Sequence, residues 1–211
     1  MQVVLASLIV IVLVFFLALL VYGLNFMVGL FIENPMIQTG FLPAELPDAV
    51  VEHETERVKF ETRDGITLSG LFLRGTRRAD TTIGVVVFAP EYGGTAESWR
   101  KYTQFLIGRG YVVFAFDFRG TGDSEVPDDY RALRWCSEDE VEDVLAAMRC
   151  AREHTGFKDV MAMGVSRGAV ATLAAIARDK NVAAAVVDSA PSTREIILQY
   201  SHRWAEIWVP R

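Results

Sequence analysis

The sequence predicts an α/β fold: a mostly parallel sheet with flanking helices, opened by an antiparallel pair of strands and preceded by a transmembrane helix. Three observations carry that expectation. Short, nearly continuous apolar runs alternate with segments of helical periodicity, an Asp-Gly turn joins two alternating runs, and a long uncharged stretch stands at the N-terminus.

The chain has 211 residues, enough for one domain with a core, and an apolar fraction of 51%. The apolar excess sits at one end. From Val3 to Ile32 no residue is charged, and the polar groups are scattered (Ser7, Tyr22, Asn25). A run of that length suffices for a helix crossing a hydrocarbon core of about 30 Å. A signal peptide would have a basic start and a shorter apolar region, so residues 1–32 read as an uncleaved single-pass anchor. No Lys or Arg precedes the run and the first after it is Arg57, so charge bias does not set the orientation. Residues 33–50, with Pro35, Pro43 and Pro47, read as an extended connector to a domain covering residues 51–211.

That domain opens with Val58 to Phe60 and Ile66 to Leu73, alternating runs around Arg63-Asp64-Gly65, a hairpin signal. Ile83 to Phe88, Tyr111 to Phe116, Val160 to Val165 and Val182 to Val187 then resemble parallel strands buried on both faces. Between them, Ser98 to Gly108, Ser137 to His154 and Ala169 to Arg178 have helical spacing, and Ser137 with Glu140 fits a capping box. A final amphipathic stretch runs from Thr193 to Trp208.

The net charge of −6 and the absence of a basic cluster argue against nucleic acid. Arg74, Arg77 and Arg78 read as a solvated turn. Cys136 and Cys150 match no metal-ligand spacing and read as free buried thiols.

The chemistry concentrates at Gly164-Val165-Ser166-Arg167-Gly168, a G-x-S-x-G pattern between an apolar strand and an alanine-rich helix. In such a nucleophile elbow the serine stands on a sharp turn, and Gly164 and Gly168 leave room for closely approaching backbone. Ser166 is then the candidate nucleophile, at the carboxyl edge of the sheet. The backbone N–H of Arg167 is the first expected oxyanion donor, and the loop Ala89 to Gly94 should bring the second, assigned to the backbone of Tyr92.

With Gly110-Tyr111-Val112-Val113-Phe114-Ala115-Phe116-Asp117-Phe118-Arg119-Gly120-Thr121-Gly122-Asp123-Ser124, which is similar to the G-Y-x-V-x-x-x-D-x-R-G-x-G-x-S segment of lysophospholipase-like and prolyl-aminopeptidase-like enzymes, the chain from about Val58 onward resembles the α/β-hydrolase superfamily. The resemblance implies an α/β-hydrolase-type sheet, a serine nucleophile, and a structural role for Asp117, Arg119 and Ser124. One departure is Pro90-Glu91 where many relatives carry His-Gly. The other is at the C-terminus: the family order is Ser, then acid, then His, and the positions for acid and histidine are expected to be missing beyond Arg211, leaving the sheet incomplete. His53, His154 and His202 do not fall at the family position, and Asp188 reads as a turn residue.

Three functions follow from this. The first is a membrane-anchored serine hydrolase that cleaves an ester, amide or peptide bond in a small molecule or peptide through an acyl-enzyme on Ser166. Acyl transfer by Ser, His and an acid implies neither metal nor organic cofactor. The second is a non-catalytic, membrane-bound, hydrolase-like binding or scaffold domain. The third is an enzyme whose histidine comes from a partner chain. Oligomeric state and the side of the membrane are not set by these residues.

Overall fold

A computed structural model describes residues 12–25, 52–76, 82–133, 135–192 and 194. The chain divides into two compact units, Met1–Leu42 and Pro43–Arg211. In the first, residues 12–25 are helical and carry exposed apolar side chains all round, from Val12 and Leu13 to Phe16, Leu20 and Leu24. Among the described residues no helix is long and apolar enough to cross a membrane. The rest of the stretch from Val3 to Ile32 and the connector 33–50 lie outside the described residues.

The second unit holds a six-stranded sheet. Its strands are β1 (His53–Glu61), β2 (Thr67–Gly75), β3 (Gly84–Ala89), β4 (Tyr111–Phe116), β5 (Val160–Val165) and β6 (Val182–Asp188), and their spatial order is β1-β2-β4-β3-β5-β6. The first pair is the expected hairpin. Its loop closes through Thr62, which donates its N–H to Ile66 O at 3.0 Å and accepts Ile66 N–H on Oγ1 at 2.9 Å. Gly65 takes φ +84°, the left-handed conformation that the Asp-Gly pair foretells. β1 starts five residues before the expected Val58, because its first half (His-Glu-Thr-Glu-Arg) is an exposed, charged strand at the sheet edge with no apolar alternation to reveal it. Arg74 belongs to β2 rather than to a turn, and Arg77 and Arg78 lie outside the described residues.

β2 pairs antiparallel with β4, whereas β3 runs parallel to both β4 and β5, and β5 runs parallel to β6. The strand alternation divides the core in two. Val85, Val87, Val112, Phe114 and Phe116 point to one face, and Phe88, Val113 and Ala115 to the other. The first face is covered by α3 (Glu138–Thr155) and α4 (Arg167–Ile176), through Val144, Met148, Ala171 and Ala175. The second is covered by α1 (Trp99–Tyr102) and α2 (Gln104–Ile107), through Trp99 and Ile107.

α1 and α2 correct the single helix expected from Ser98 to Gly108. At the break, Thr103 is fully buried and returns both its N–H (2.8 Å) and its Oγ1–H (2.9 Å) to the Trp99 carbonyl. This competition with the helix ladder leaves Thr103 at φ −123°, ψ −5°, and the helix restarts at Gln104. α3 begins at the capping box foreseen for Ser137 and Glu140 and ends on Gly156 at φ +75°.

β6 departs from expectation more sharply. It forms where the apolar run lies, but Ala183 to Val186 are exposed, so it is not buried on both faces. Among the described residues its outer edge has no strand partner. The amphipathic stretch from Thr193 to Trp208, with His202, falls outside the described residues except for Arg194.

Candidate active site

Strand order locates the crevice first. The chain leaves β3 for β4 on one side of it and later returns to lay β5 on the other, so β3 and β5 flank a topological switch point, where ligands bind at the carboxyl ends of open α/β sheets. Ser166 directly follows β5, and the loop carrying Tyr92 directly follows β3.

Ser166 adopts φ +53°, ψ −115°, one of two non-glycine residues with positive φ among the described residues. A non-glycine residue in this region is strained by about 1–3 kcal/mol and persists only where its surroundings over-determine it. The surroundings here are main-chain contacts. Ser166 N–H donates to the carbonyl of Asp188 at the tip of β6 (2.9 Å), and the Ser166 carbonyl accepts Ala169 N–H (3.1 Å). A Cβ on Gly164 would lie 2.5 Å from the Gly168 carbonyl oxygen, and one on Gly168 would lie 2.3 Å from that of Ala89. Both glycines are therefore required by packing, as the motif implies. The Ser166 side chain makes no cap bond to its own helix and is half-buried.

The strain gives a direct expectation. Ser166→Gly should raise stability by about 1 kcal/mol, since glycine tolerates this backbone, less its larger unfolded-state entropy. Ser166→Ala, which keeps a Cβ, should not. Thermal unfolding of the two variants checks this, and a glycine variant no more stable than the alanine one would mean that the turn is unstrained.

Arg167 is the first residue of α4, so its N–H is one of the unpaired donors of a helix start. Tyr92 sits in the turn Glu91–Gly94, closed by Gly94 N–H to Glu91 O at 2.9 Å. The structure brings the two together in a way the motif does not foretell. The Arg167 side chain, 1% exposed, turns under the elbow with its guanidinium carbon 5.3 Å from the Tyr92 ring and 5.2 Å from the Phe118 ring. Its Nη1 donates to Glu140 Oε1 (3.1 Å) and the Leu133 carbonyl (3.2 Å). Glu140 is equally buried. Burial alone would raise its carboxyl, but hydrogen bonds from Tyr130 and Ser137 and the charge of Arg167 hold it below the ordinary glutamate value. Burial pushes the Tyr130 hydroxyl up, so it remains a donor to Glu140.

Glu91 lies next to Tyr92 in the loop that follows β3. Its Oε1 accepts from Ser98 Oγ at 3.4 Å and lies 3.8 Å from Lys101 Nζ, so the carboxylate is engaged with the following helical segment.

The segment Asp117 to Ser124 is a structural buttress. Asp117 accepts N–H groups from Ala96 (2.7 Å) and Asp123 (3.0 Å), and Ser124 Oγ donates to the Asp117 carbonyl while accepting Ser69 N–H. Arg119, almost fully buried, bridges Asp143 (2.8 Å) and Asp64 (2.7 Å), tying α3 to the β1–β2 hairpin. Hydrogen bonding from Arg119 holds the Asp64 carboxyl down at about 2. A depressed carboxylate stabilises the fold above its unfolded value of about 3.9, and that contribution is lost as pH falls through the folded value. Asp64→Asn should therefore unfold more easily than wild type near neutral pH, with the gap closing between about pH 4 and pH 2. The effect is modest because Asp64 is half exposed. A gap independent of pH would remove the charge from the explanation.

Of the histidines, His53 packs edge-on against Trp99 at 4.8 Å. His154 stacks on Phe72 at 4.0 Å and lies 3.1 Å from Glu56, on the β1–β2 side of the sheet. Asp188 is the last residue of β6 rather than part of a turn, and its carboxylate accepts from the Ser189 hydroxyl at 2.9 Å rather than from local N–H groups. Cys136 and Cys150 are free and half-buried, and burial pushes their thiols up to about 12 and about 11, so neither is a thiolate at neutral pH. Among the described residues, no three His, Cys, Asp or Glu side chains converge to hold a metal.

Residues 84–210, well over half the chain, match the family model for the alpha/beta hydrolase fold, and the chain belongs to that family. It is 27% identical over 139 residues to the uncharacterized protein YfhR of Escherichia coli O157:H7, a match covering 64% of this chain and 46% of YfhR. The esterase Pf2001 of Pyrococcus furiosus superposes with a TM-score of 0.61 at 21% identity, over 79% of this chain and 61% of the esterase. A mutant epoxide hydrolase of Vigna radiata superposes with a TM-score of 0.53 at 26% identity, over 66% of this chain and 40% of that enzyme. The chain thus spans about half to three-fifths of the length of YfhR and Pf2001.

Proposed function

We propose that the protein is a membrane-anchored serine hydrolase that cleaves an ester, amide or peptide bond through an acyl-enzyme on Ser166. The observation that carries this reading is the conformation of Ser166: a strained serine held by main-chain contacts at the carboxyl end of a parallel strand, beside the switch point. The turn leaves the Ser166 side chain without a cap bond to its own helix, as a nucleophile on a strand-to-helix turn requires.

In this mechanism Ser166 Oγ bonds to the substrate carbonyl carbon while its proton passes to a histidine other than His53, His154 and His202, none of which falls at the family position. The N–H groups of Arg167 and Tyr92 receive the carbonyl oxygen as it becomes an oxyanion. Collapse expels the alcohol or amine, which takes the proton from the histidine, and water then releases the acid and restores Ser166. The Pyrococcus relative is named an esterase, which supports an ester as the first substrate class to test.

Anchoring rests on the uncharged stretch Val3 to Ile32 and on the apolar side chains exposed around the helix at 12–25, a surface that water does not favour. Serine-reactive phosphonate labelling of the intact protein in membranes, with Ser166→Ala as control, tests both parts. Labelling lost in the variant and sedimenting with membranes is the expected result. A second reading, a non-catalytic binding domain, is favoured by the negative charge of Glu91 within the loop Ala89 to Gly94 itself, where an oxyanion would develop, and predicts no labelling in either form.

A further inference from the structure

We infer that the Arg167 side chain is a positioning residue, which couples the nucleophile elbow to the oxyanion loop by holding the Tyr92 ring against its guanidinium. The inference rests on Ser166 being a nucleophile, and adds a role for a side chain where the motif uses only a backbone N–H.

Stability alone is a poor account of this arrangement. A buried ion pair such as Arg167–Glu140, with both side chains 1% exposed, gives up so much hydration that apolar replacements are often neutral or stabilising. The pairing is also imperfect, since Arg167 Nε is buried without an acceptor among the described residues. Connectivity is what the arrangement provides. Through Glu140 the guanidinium is bound to the start of α3, where the same carboxylate accepts Ser137 N–H (2.6 Å) and the Tyr130 hydroxyl. Through Leu133 it is bound to the loop before α3, and through Phe118 to the end of β4. Its fourth neighbour is Tyr92, on the loop after β3. Arg167 is itself residue one of the elbow helix, so a rigid guanidinium fixes Tyr92 relative to Arg167 N–H. Both proposed oxyanion donors are thereby referred to one anchored group, and a misplacement of about 1 Å costs on the order of 10²-fold in rate.

The test is a double-mutant cycle in the intact protein, read on p-nitrophenyl butyrate and on fluorophosphonate labelling, with Tyr92→Phe, Tyr92→Ala, Arg167→Lys and the Tyr92→Ala/Arg167→Lys pair. Tyr92 is half-buried and outside the ion pair, so its variants fold even if Arg167→Lys does not. Tyr92→Ala should lower kcat about tenfold with KM nearly unchanged, Tyr92→Phe should restore it to within about threefold, and adding Arg167→Lys to Tyr92→Ala should cost much less than Arg167→Lys alone. Unchanged kcat in Tyr92→Ala, or losses that simply multiply, would overturn the coupling. Wild type without labelling at Ser166 would instead overturn the nucleophile reading and this inference with it.

Discussion

Ser166→Ala is expected to lower kcat by roughly a million-fold and to abolish covalent labelling, because loss of the nucleophile costs about as much as loss of the whole catalytic set. The fold should survive. Ser166 is half-buried, its contacts to Asp188 and Ala169 are made by main-chain atoms that alanine retains, and its hydroxyl caps nothing. Residual turnover from oxyanion donors and substrate binding is expected at the level of about 10³–10⁴ over water. Ester hydrolysis measured with purified intact protein decides the matter: a variant with wild-type kcat would remove Ser166 from the chemistry altogether.

Gly168→Ala should be the most damaging small substitution in the domain. Its Cβ would stand 2.3 Å from the Ala89 carbonyl oxygen, 2.4 Å from that of Pro90 and 2.7 Å from the Ala89 carbonyl carbon. All three are backbone atoms at the end of a central strand, so no rotamer change relieves the clash. Overpacking of this kind against unyielding backbone costs about 3 kcal/mol, and on the order of 10 °C in Tm for a domain of this size. Gly156→Ala is the contrast. Gly156 also sits at a helix end, at φ +75°, but nothing lies within 4 Å of its Cβ position, so only the left-handed backbone penalty of about 1–2 kcal/mol applies. Equal losses in the two variants would show that the elbow can open at little cost.

How far the sequence discloses this molecule depends on the range of the interaction involved. β4 and β5 have the bounds that their apolar runs indicate, and the cap of α3 is where Ser137 and Glu140 place it, because these signals are local. The sharp strand-to-helix turn at Ser166 is legible because a strand, two glycines and a helix occur within a dozen residues. What stayed hidden depends on which way a side chain turns or on neighbours distant in the chain. Thr103 broke a helix by turning its hydroxyl inward, which periodicity does not register. The apolar composition of β6 marks a strand but not its depth, and the sheet edge leaves it exposed. Arg167 enters the sequence reading only through its backbone N–H, because its side-chain partner Glu140 is 27 residues away and already accounted for as a helix cap.

The contacts that fix Ser166 are made by main-chain atoms. Ser166 N–H is held by the carbonyl of Asp188, and the space at Gly168 is bounded by the carbonyls of Ala89 and Pro90. Every residue type offers a carbonyl. The side chains at those three positions are therefore not what fixes the Ser166 backbone, and exchanging side chains there leaves the position of the serine oxygen to the main chain.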